Sequence, residues 1–367
     1  MQHAMRKNDY LLPAEWHTQS GIQLTWPHAE TDWRDMLAEI TDVFLAMADV
    51  ITRHELLLVV TPQPVDTRIA LQRVLDDKQM ERVIVCEMPT NDTWARDHAA
   101  LTLVPTDATG DIPARLLDFG FNGWGEKFAA QHDNAITARL CAAGVLHGER
   151  EDNLDFVLEG GSIESDGEGT VFTTSTCLLA PHRNQPLTQA DIESRLKTTL
   201  HAERIVWLDH GTLLGDDTDG HIDTIVRCAP DDALLYVSCQ DPDDVHYEDF
   251  LKLQKQLQEL RTLQDTPYRL MPLPMPKAIY CDGNRLPTTY ANFIVLNGAV
   301  ICPTYRQPDL DALAIDVLRQ AFPDREVIGI DACPVIRQHG SLHCLTMQYP
   351  KGVITSESTH AKYPNPS

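Results

Sequence analysis

Five times along this chain a reactive polar residue opens a short stretch with the pattern of a β-hairpin. The stretches begin at Asp97 (RDHAALTLV), Glu159 (LEGGSIESDGEGTVFTT), His221 (GHIDTIVRCAPDDALLYVSC), Asn292 (YANFIVLNGAVICPTY) and Cys344 (LHCLTMQYPKGVITS). In the last four, a turn signal follows the first apolar run (Asp-Gly, Pro-Asp-Asp, Asn-Gly, Pro-Lys-Gly), and a second strand is expected after it. The intervals between the five residues are 62, 62, 71 and 52. One polar residue per near-regular unit predicts a ring of units whose strand ends meet in one pocket. Two acids, a base, an amide and a thiol would gather there, the make-up of a nucleophilic active site and not of a surface.

Between the hairpins lie segments of helical period, each followed by a short apolar strand. Residues 32–53 place Met36, Ile40, Phe44 and Met47 on one stripe before LLLVV. Thr188 is placed as an N-cap ahead of Ile192, Leu196 and Leu200, and RIVWL follows. Residues 309–321 stop before Phe322-Pro323 and lead into EVIGI. Helices are expected over 126–143 and 246–262 as well. The repeated unit is hairpin, helix, strand, and no Ser/Gly-rich linker interrupts it, so residues 1–367 read as a single α/β domain. The final SESTHAKYPNPS is expected to be loosely held.

Hydrophobic residues make up 43% of the chain, enough for a sizeable core, and no window approaches the apolar length of a membrane span. Residues 1–16 carry no apolar h-region, which argues against secretion. The nine cysteines are odd in number, form no CxxC and sit mostly in apolar runs. That usage fits reduced thiols in a cytoplasmic protein. The net charge of −24, with no clustered basic face, argues against a nucleic-acid partner. An acidic chain of this kind is either simply well solvated or suited to a cationic substrate.

Within the stretches, strand alternation would put His221 and Asp223 of GHID on one face, although the same pattern also serves a His–Asp pair that only holds a loop. Alternation would put His343 and Cys344 on opposite faces, which leaves His221 as the candidate base for the thiol. A cysteine in an apolar strand is otherwise inert core. Grouping Cys333, His339, His343 and Cys344 as metal ligands fits no standard zinc spacing. The glycines after Glu159 permit positive φ or a close backbone approach, or they form a plain turn. Asp97 follows Arg96, so a local ion pair is its alternative. Trp94 and Trp124 are candidate substrate contacts that would shield or stack on a cation, with core packing as the other role.

Taken together, WARD, FNGWG, LEGGSIESDGEGT, TDGHID, YANF and GSLHCLTMQ resemble the agmatine deiminase family, also called the bacterial (Porphyromonas-type) peptidylarginine deiminase family. The resemblance runs from LPAEW to GSLHC and implies a five-bladed, pseudo-symmetric α/β-propeller of the guanidine-modifying (pentein) superfamily. It implies Cys344, His221 and Glu159 as catalytic residues. It also implies Asp97 and Asp223 as the guanidinium-holding carboxylates, with Asn292 counted among the substrate contacts. The implied reaction hydrolyses agmatine to N-carbamoylputrescine and ammonia through a Cys-bound thiouronium, a step in putrescine biosynthesis. The implied partner is a small cationic guanidino compound, with no cofactor or metal, in a homodimer or higher oligomer. The alternatives are free or protein-bound arginine at the same site, amidino transfer to an amine, and a non-catalytic amine-binding protein. Two departures from the family pattern are expected to fall where selectivity is set. His98-Ala99 replaces the usual Gly-Pro, and Ile336–Ser341 replaces a Gly-rich run.

Overall fold

The hairpin starts lead into antiparallel pairs, and in every case the second strand pairs in parallel with a third that is reached through helical chain. The computed structural model describes residues 9–107 and 112–355. Strands Leu101–Pro105, Arg115–Gly120 and Glu149–Val157 form the first such set, with Tyr10–Leu11 added at its edge. Ile163–Ser165, Thr170–Thr174 and Arg204–Leu208 form the second, and Val226–Ala229, Ala233–Ser238 and Arg269–Pro274 the third. Ile294–Val295, Ala299–Thr304 and Glu326–Asp331 form the fourth. These are separate sheets, and none closes on itself among the described residues.

The fifth set departs from the expected pattern. Thr346–Pro350 does not fold back onto the residues after Pro-Lys-Gly. It pairs antiparallel with Gln19–Thr25, Thr346 opposite Leu24, and that strand runs parallel to Leu56–Thr61 and on to Val83–Glu87. The N-terminal strand has taken the edge that a local second strand would need. Residues 351–355 become a turn, with the Lys351 N–H on the Thr18 carbonyl at 2.9 Å. Val353 and Ile354, read as strand, are simply buried in the core. The expected loose tail, 356–367, lies outside the described residues.

The helices follow the apolar stripes. Leu37–His54 buries Ile40, Phe44, Met47 and Ile51 against its sheet, and Met36 sits in the 3₁₀ turn before it. Thr188 caps Gln189–Thr199 in a reciprocal capping box with Asp191. Tyr247–Glu259 and Pro308–Ala321 fall where expected. The 126–143 segment does not form one helix. Gly123, Trp124 and Gly125 all take positive φ, and regular helix is confined to Ile136–Ala142. The parallel strands are apolar on both faces, as Leu57–Val60 shows with every residue buried, because helices cover the sheets. None of the nine cysteines is in a disulfide. Among the described residues no helix is long and apolar enough to cross a membrane.

One buried cation ties the N-terminal segment to three of the hairpins. Arg227 is 1% exposed, ion-paired to Glu15 and Glu164, and donates to the carbonyls of Ala291 (3.2 Å) and Phe293 (2.7 Å). Its guanidinium also lies over the Phe293 ring, 4.5 Å from the centroid. Removing it would strand two buried carboxylates. The substitution Arg227→Met is therefore expected to destabilise the protein by about 3–5 kcal/mol, measured as a lowered urea midpoint. Adding Glu164→Gln should restore part of the loss.

Candidate active site

The hairpin starts meet, but four of them do so as tight turns and not as strand ends. Asp97 sits in the single helical turn Ala95–His98, Glu159 precedes the 3₁₀ turn Gly160–Ser162, His221 precedes Ile222–Thr224, and Cys344 lies within His343–Leu345. The acidic run ahead of His221 is a folded cap. Asp216 accepts from the Thr218 N–H (3.2 Å) and the Gly220 N–H (2.8 Å), and the Thr218 hydroxyl accepts from the His221 N–H at 3.0 Å. Asp219 and Gly220 take positive φ in that turn.

The Cys344 thiol is held by Asn292. The Asn292 side-chain oxygen accepts from the Cys344 N–H at 3.2 Å and lies 3.3 Å from its sulfur, while Asn292 Nδ2 donates to the Asp223 carbonyl at 3.3 Å. Asp223 Oδ2 is 3.9 Å from the same sulfur. Burial, reinforced by the Asp223 and Asp97 carboxylates, pushes the Cys344 thiol well above its usual range. The resting nucleophile is thus a neutral thiol. His343 points the other way, with its ring nitrogens at 2.7 Å from Asp223 Oδ2 and 2.9 Å from Glu15 Oε2. Burial works against a charge on Asp223, but His343, His221 and Arg227 outweigh it and hold its carboxyl below the usual range.

His221 Nδ1 lies 3.6 Å from Asp97 Oδ1, and the Gly161 N–H donates to that oxygen at 3.1 Å. A Cβ on Gly161 would sit 2.6 Å from His221 Nδ1 and 2.9 Å from Asp97 Oδ1, and one on Gly160 would sit 2.2 Å from the Arg96 carbonyl oxygen. The glycine pair therefore serves close approach, and neither residue has positive φ. Both Glu159 oxygens accept from Arg183 Nε, at 3.0 and 3.3 Å. Arg183 also binds Asp219 Oδ2 (2.6 Å) and the Thr218 carbonyl (2.7 Å), which ties Glu159 to the loop that carries His221. A His221 nitrogen, a Glu159 oxygen and the Cys177 sulfur lie within 4.8 Å of one another. Burial opposes a charge on His221, yet Asp97, Cys177 and Glu159 together raise it well above the usual imidazole range. Burial raises Asp97 to about 6, with Asp223 and Glu159 adding to the shift.

A pocket with about 480 Å³ of empty space opens onto this group. Cys344 and Asp97 line it together with Trp94, Trp124 and Phe128, while His221, Glu159, Asp223 and Asn292 are fully buried behind them. Trp124 donates its indole N–H to Asp97 Oδ2 at 3.0 Å and packs edge-on against Trp94 and Phe128. Asp32, Asp92 and Asp217 also line the pocket, and neither lysine nor arginine does so among the described residues. Burial, then the charge of Asp32, lifts Asp92 to about 7.

The eight residues singled out from sequence thus gather around one pocket. Asn292, expected as a substrate contact, has its amide engaged with Cys344 and Asp223. Of the two departures, His98 is buried against Thr25 (3.1 Å) and Phe121, away from the pocket, whereas Gln338, His339 and Gly340 line it. Sequence reasoning missed Arg183, Cys177 and Glu15, and it gave His343 no part in the site. Two clusters have metal-ligand spacing, Glu159/Cys177/His221 and Glu15/Glu164/His343. In both, an arginine already pairs with the carboxylates.

The model of the Porphyromonas-type peptidyl-arginine deiminase family matches residues 11–350. The chain is 32% identical to the agmatine deiminase of Stutzerimonas stutzeri, over 94% of this chain and 96% of that protein. It is 33% identical to that of Pseudomonas aeruginosa at the same coverage. Among solved structures it superposes on a provisional arginine deiminase of Porphyromonas gingivalis with a TM-score of 0.87, at 49% identity over 94% of this chain and all of that one. It superposes on a substrate-bound C. jejuni agmatine deiminase with a TM-score of 0.85, at 32% identity over 96% of this chain and all of that one. In matched length and in fold, this chain belongs to the Porphyromonas-type peptidyl-arginine deiminase family, alongside the agmatine deiminases.

Proposed function

We propose that this protein is an agmatine deiminase that hydrolyses agmatine to N-carbamoylputrescine and ammonia. The observation that carries the reading is the lining of the pocket. A thiol and a carboxylate stand at its floor, indole rings form its walls, and three further carboxylates line it with no lysine or arginine among them. A guanidinium at the floor and an ammonium at the far end both meet negative charge. The α-carboxylate of arginine would find no lysine or arginine in this lining and would be repelled by Asp32 and Asp217. The proposal extends to a single domain over residues 1–367 whose five hairpin–helix–strand units close as a five-bladed propeller. The repeated sheet topology and the meeting of the five starts support it. It also takes the enzyme to be a cytoplasmic homo-oligomer serving putrescine biosynthesis, as the family resemblance implies.

The chemistry follows from the charges. A guanidinium stays protonated at any usable pH, and resonance makes its carbon a poor electrophile. Asp97 and Asp223 would grip its N–H groups and hold the carbon over Cys344. The arriving cation offsets the carboxylates that keep the thiol protonated, so binding itself favours thiolate, and the thiol proton passes to solvent because His221 already carries its own. The sulfur attacks the carbon. His221, charged in the resting site, then protonates a departing nitrogen, which leaves as ammonia. An S-alkylthiouronium remains on Cys344. Water adds to it while the now neutral His221 takes the proton, and cleavage of the C–S bond releases the ureido product and restores the thiol. Glu159, fixed by Arg183, would hold His221 between these steps.

Three outcomes are expected. A panel of guanidino compounds assayed for ammonia and ureido product should give a kcat/KM for agmatine at least about 100-fold above that for arginine, equivalent to roughly 2.7 kcal/mol of discrimination. Equal values would overturn the choice of substrate. Cys344→Ala should release no ammonia while keeping the wild-type thermal midpoint within a few degrees. Finally, Asp97 must be ionised to grip the substrate, so kcat/KM should fall as pH drops through about 6. Asp97→Asn should lower kcat/KM across the range and flatten that acid limb.

A further inference from the structure

His339 holds a conformation that a residue with a side chain seldom takes, at φ 65° and ψ 6°. It does so on the short loop between the 3₁₀ turn Val335–Gln338 and the turn that carries Cys344, at the edge of the pocket. The loop is pinned along its length. Gln338 Nε2 donates to the Asp32 carbonyl at 2.9 Å. A Cβ on Gly340 would collide with the Trp94 ring at 2.2 Å, so the backbone there lies directly on the indole. His339 reaches the opposite loop, with Nδ1 2.7 Å from the Gly215 carbonyl and 3.9 Å from Asp217 Oδ2. A carbonyl can only accept, so Nδ1 carries the proton and Nε2 is left to face other groups. The loop it reaches is anchored in turn, with Lys127 Nζ on the Asp217 carbonyl at 2.6 Å.

The imidazole therefore spans two loops, the one leading into the nucleophile and the one leading into His221, with its ring in the pocket wall. A short free amine needs no opening on that side, because its chain ends inside the pocket. A guanidino group borne on a polypeptide must let the main chain leave in two directions, and a bridged wall obstructs one of them. A non-glycine residue at positive φ is held there by its surroundings. Here these are the turn, closed by the His339 N–H on the Ile336 carbonyl at 3.0 Å, and the side-chain bridge to Gly215.

We propose that His339 is the residue that sets substrate size, its ring closing one wall of the pocket so that short free guanidino amines enter and peptidyl arginine is excluded. This inference rests on the deiminase reading above and adds to it the residue that enforces the choice. The decisive variant is His339→Gly, because glycine takes φ near 65° without strain and the backbone can stay where it is. Its KM for agmatine should rise about tenfold with kcat changed less than about twofold, the pattern of lost binding and not of lost chemistry. Its kcat/KM for a blocked peptide containing arginine should rise at least about tenfold over wild type, a gain that loop damage would not produce. His339→Asn, which also tolerates positive φ, should fall between the two and serves as the readout if the glycine variant unfolds. Unchanged values for both substrates in a wild type active on agmatine would overturn the role of His339 and leave the function standing. A wild type inactive on every guanidino amine would overturn both.

Discussion

Burying Asp97, Glu159 and Asp223 around His221 and Cys344 sets the conditions for the rest of the structure. Each carboxylate removed from water costs several kcal/mol unless a partner offsets it. Glu159 is met by Arg183. Asp223 is met by His343, with Arg227 behind it, and is held ionised. Asp97 has neutral donors, Trp124 and Gly161, and shares His221 with the other acids, so its carboxyl drifts up to about 6. Asp97 is thus the least firmly compensated of the three. In the proposed reaction a guanidinium would pair with it, and the same event would lower the cost of forming the thiolate. Binding and activation would then be a single electrostatic step.

That balance explains where the supporting residues lie. Arg183 joins Glu159 to the loop that carries His221 and so fixes the two relative to each other. The His343 ring joins Asp223 to Glu15, and Glu15 pairs with Arg227, so the N-terminal segment reaches Asp223 through one imidazole. Asn292 occupies the remaining gap, and its amide links the third hairpin start to the fifth. None of these residues need touch a substrate to fix where one sits.

Much of the arrangement was legible in the sequence because it is periodic. Apolar stripes of period 3.6 gave the helices, and the turn signals gave three of the four hairpins they marked. The gathering of Asp97, Glu159, His221, Asn292 and Cys344 followed from their even spacing. Other parts were not legible, for physical reasons. His221 and Asp223 share the site because one precedes and the other lies within a 3₁₀ turn, not because strand residues alternate. The C-terminal strand's partner was missed because local turn chemistry says nothing about a competing strand from the other end of the chain. Arg183 and Glu15 left no signal, since a buried ion pair is made by tertiary contact and carries no local pattern. The 126–143 segment failed as one helix because Glu126 takes positive φ, a backbone conformation that its residue type does not announce, and regular helix begins only at Ile136.

The pairing of Thr346–Pro350 with Gln19–Thr25 bears on how the molecule is made. Thr346 lies opposite Leu24, so the strand that follows the nucleophile docks onto one of the first strands synthesised. Domains emerge from the ribosome N-terminus first, and contacts of such separation form late. Until Thr346–Pro350 docks, the edge of Gln19–Thr25 is open and Cys344 is not held among its carboxylates. A truncated product would therefore expose a sticky strand edge while lacking an assembled catalytic centre. Docking of this strand and assembly of the active site are the same event.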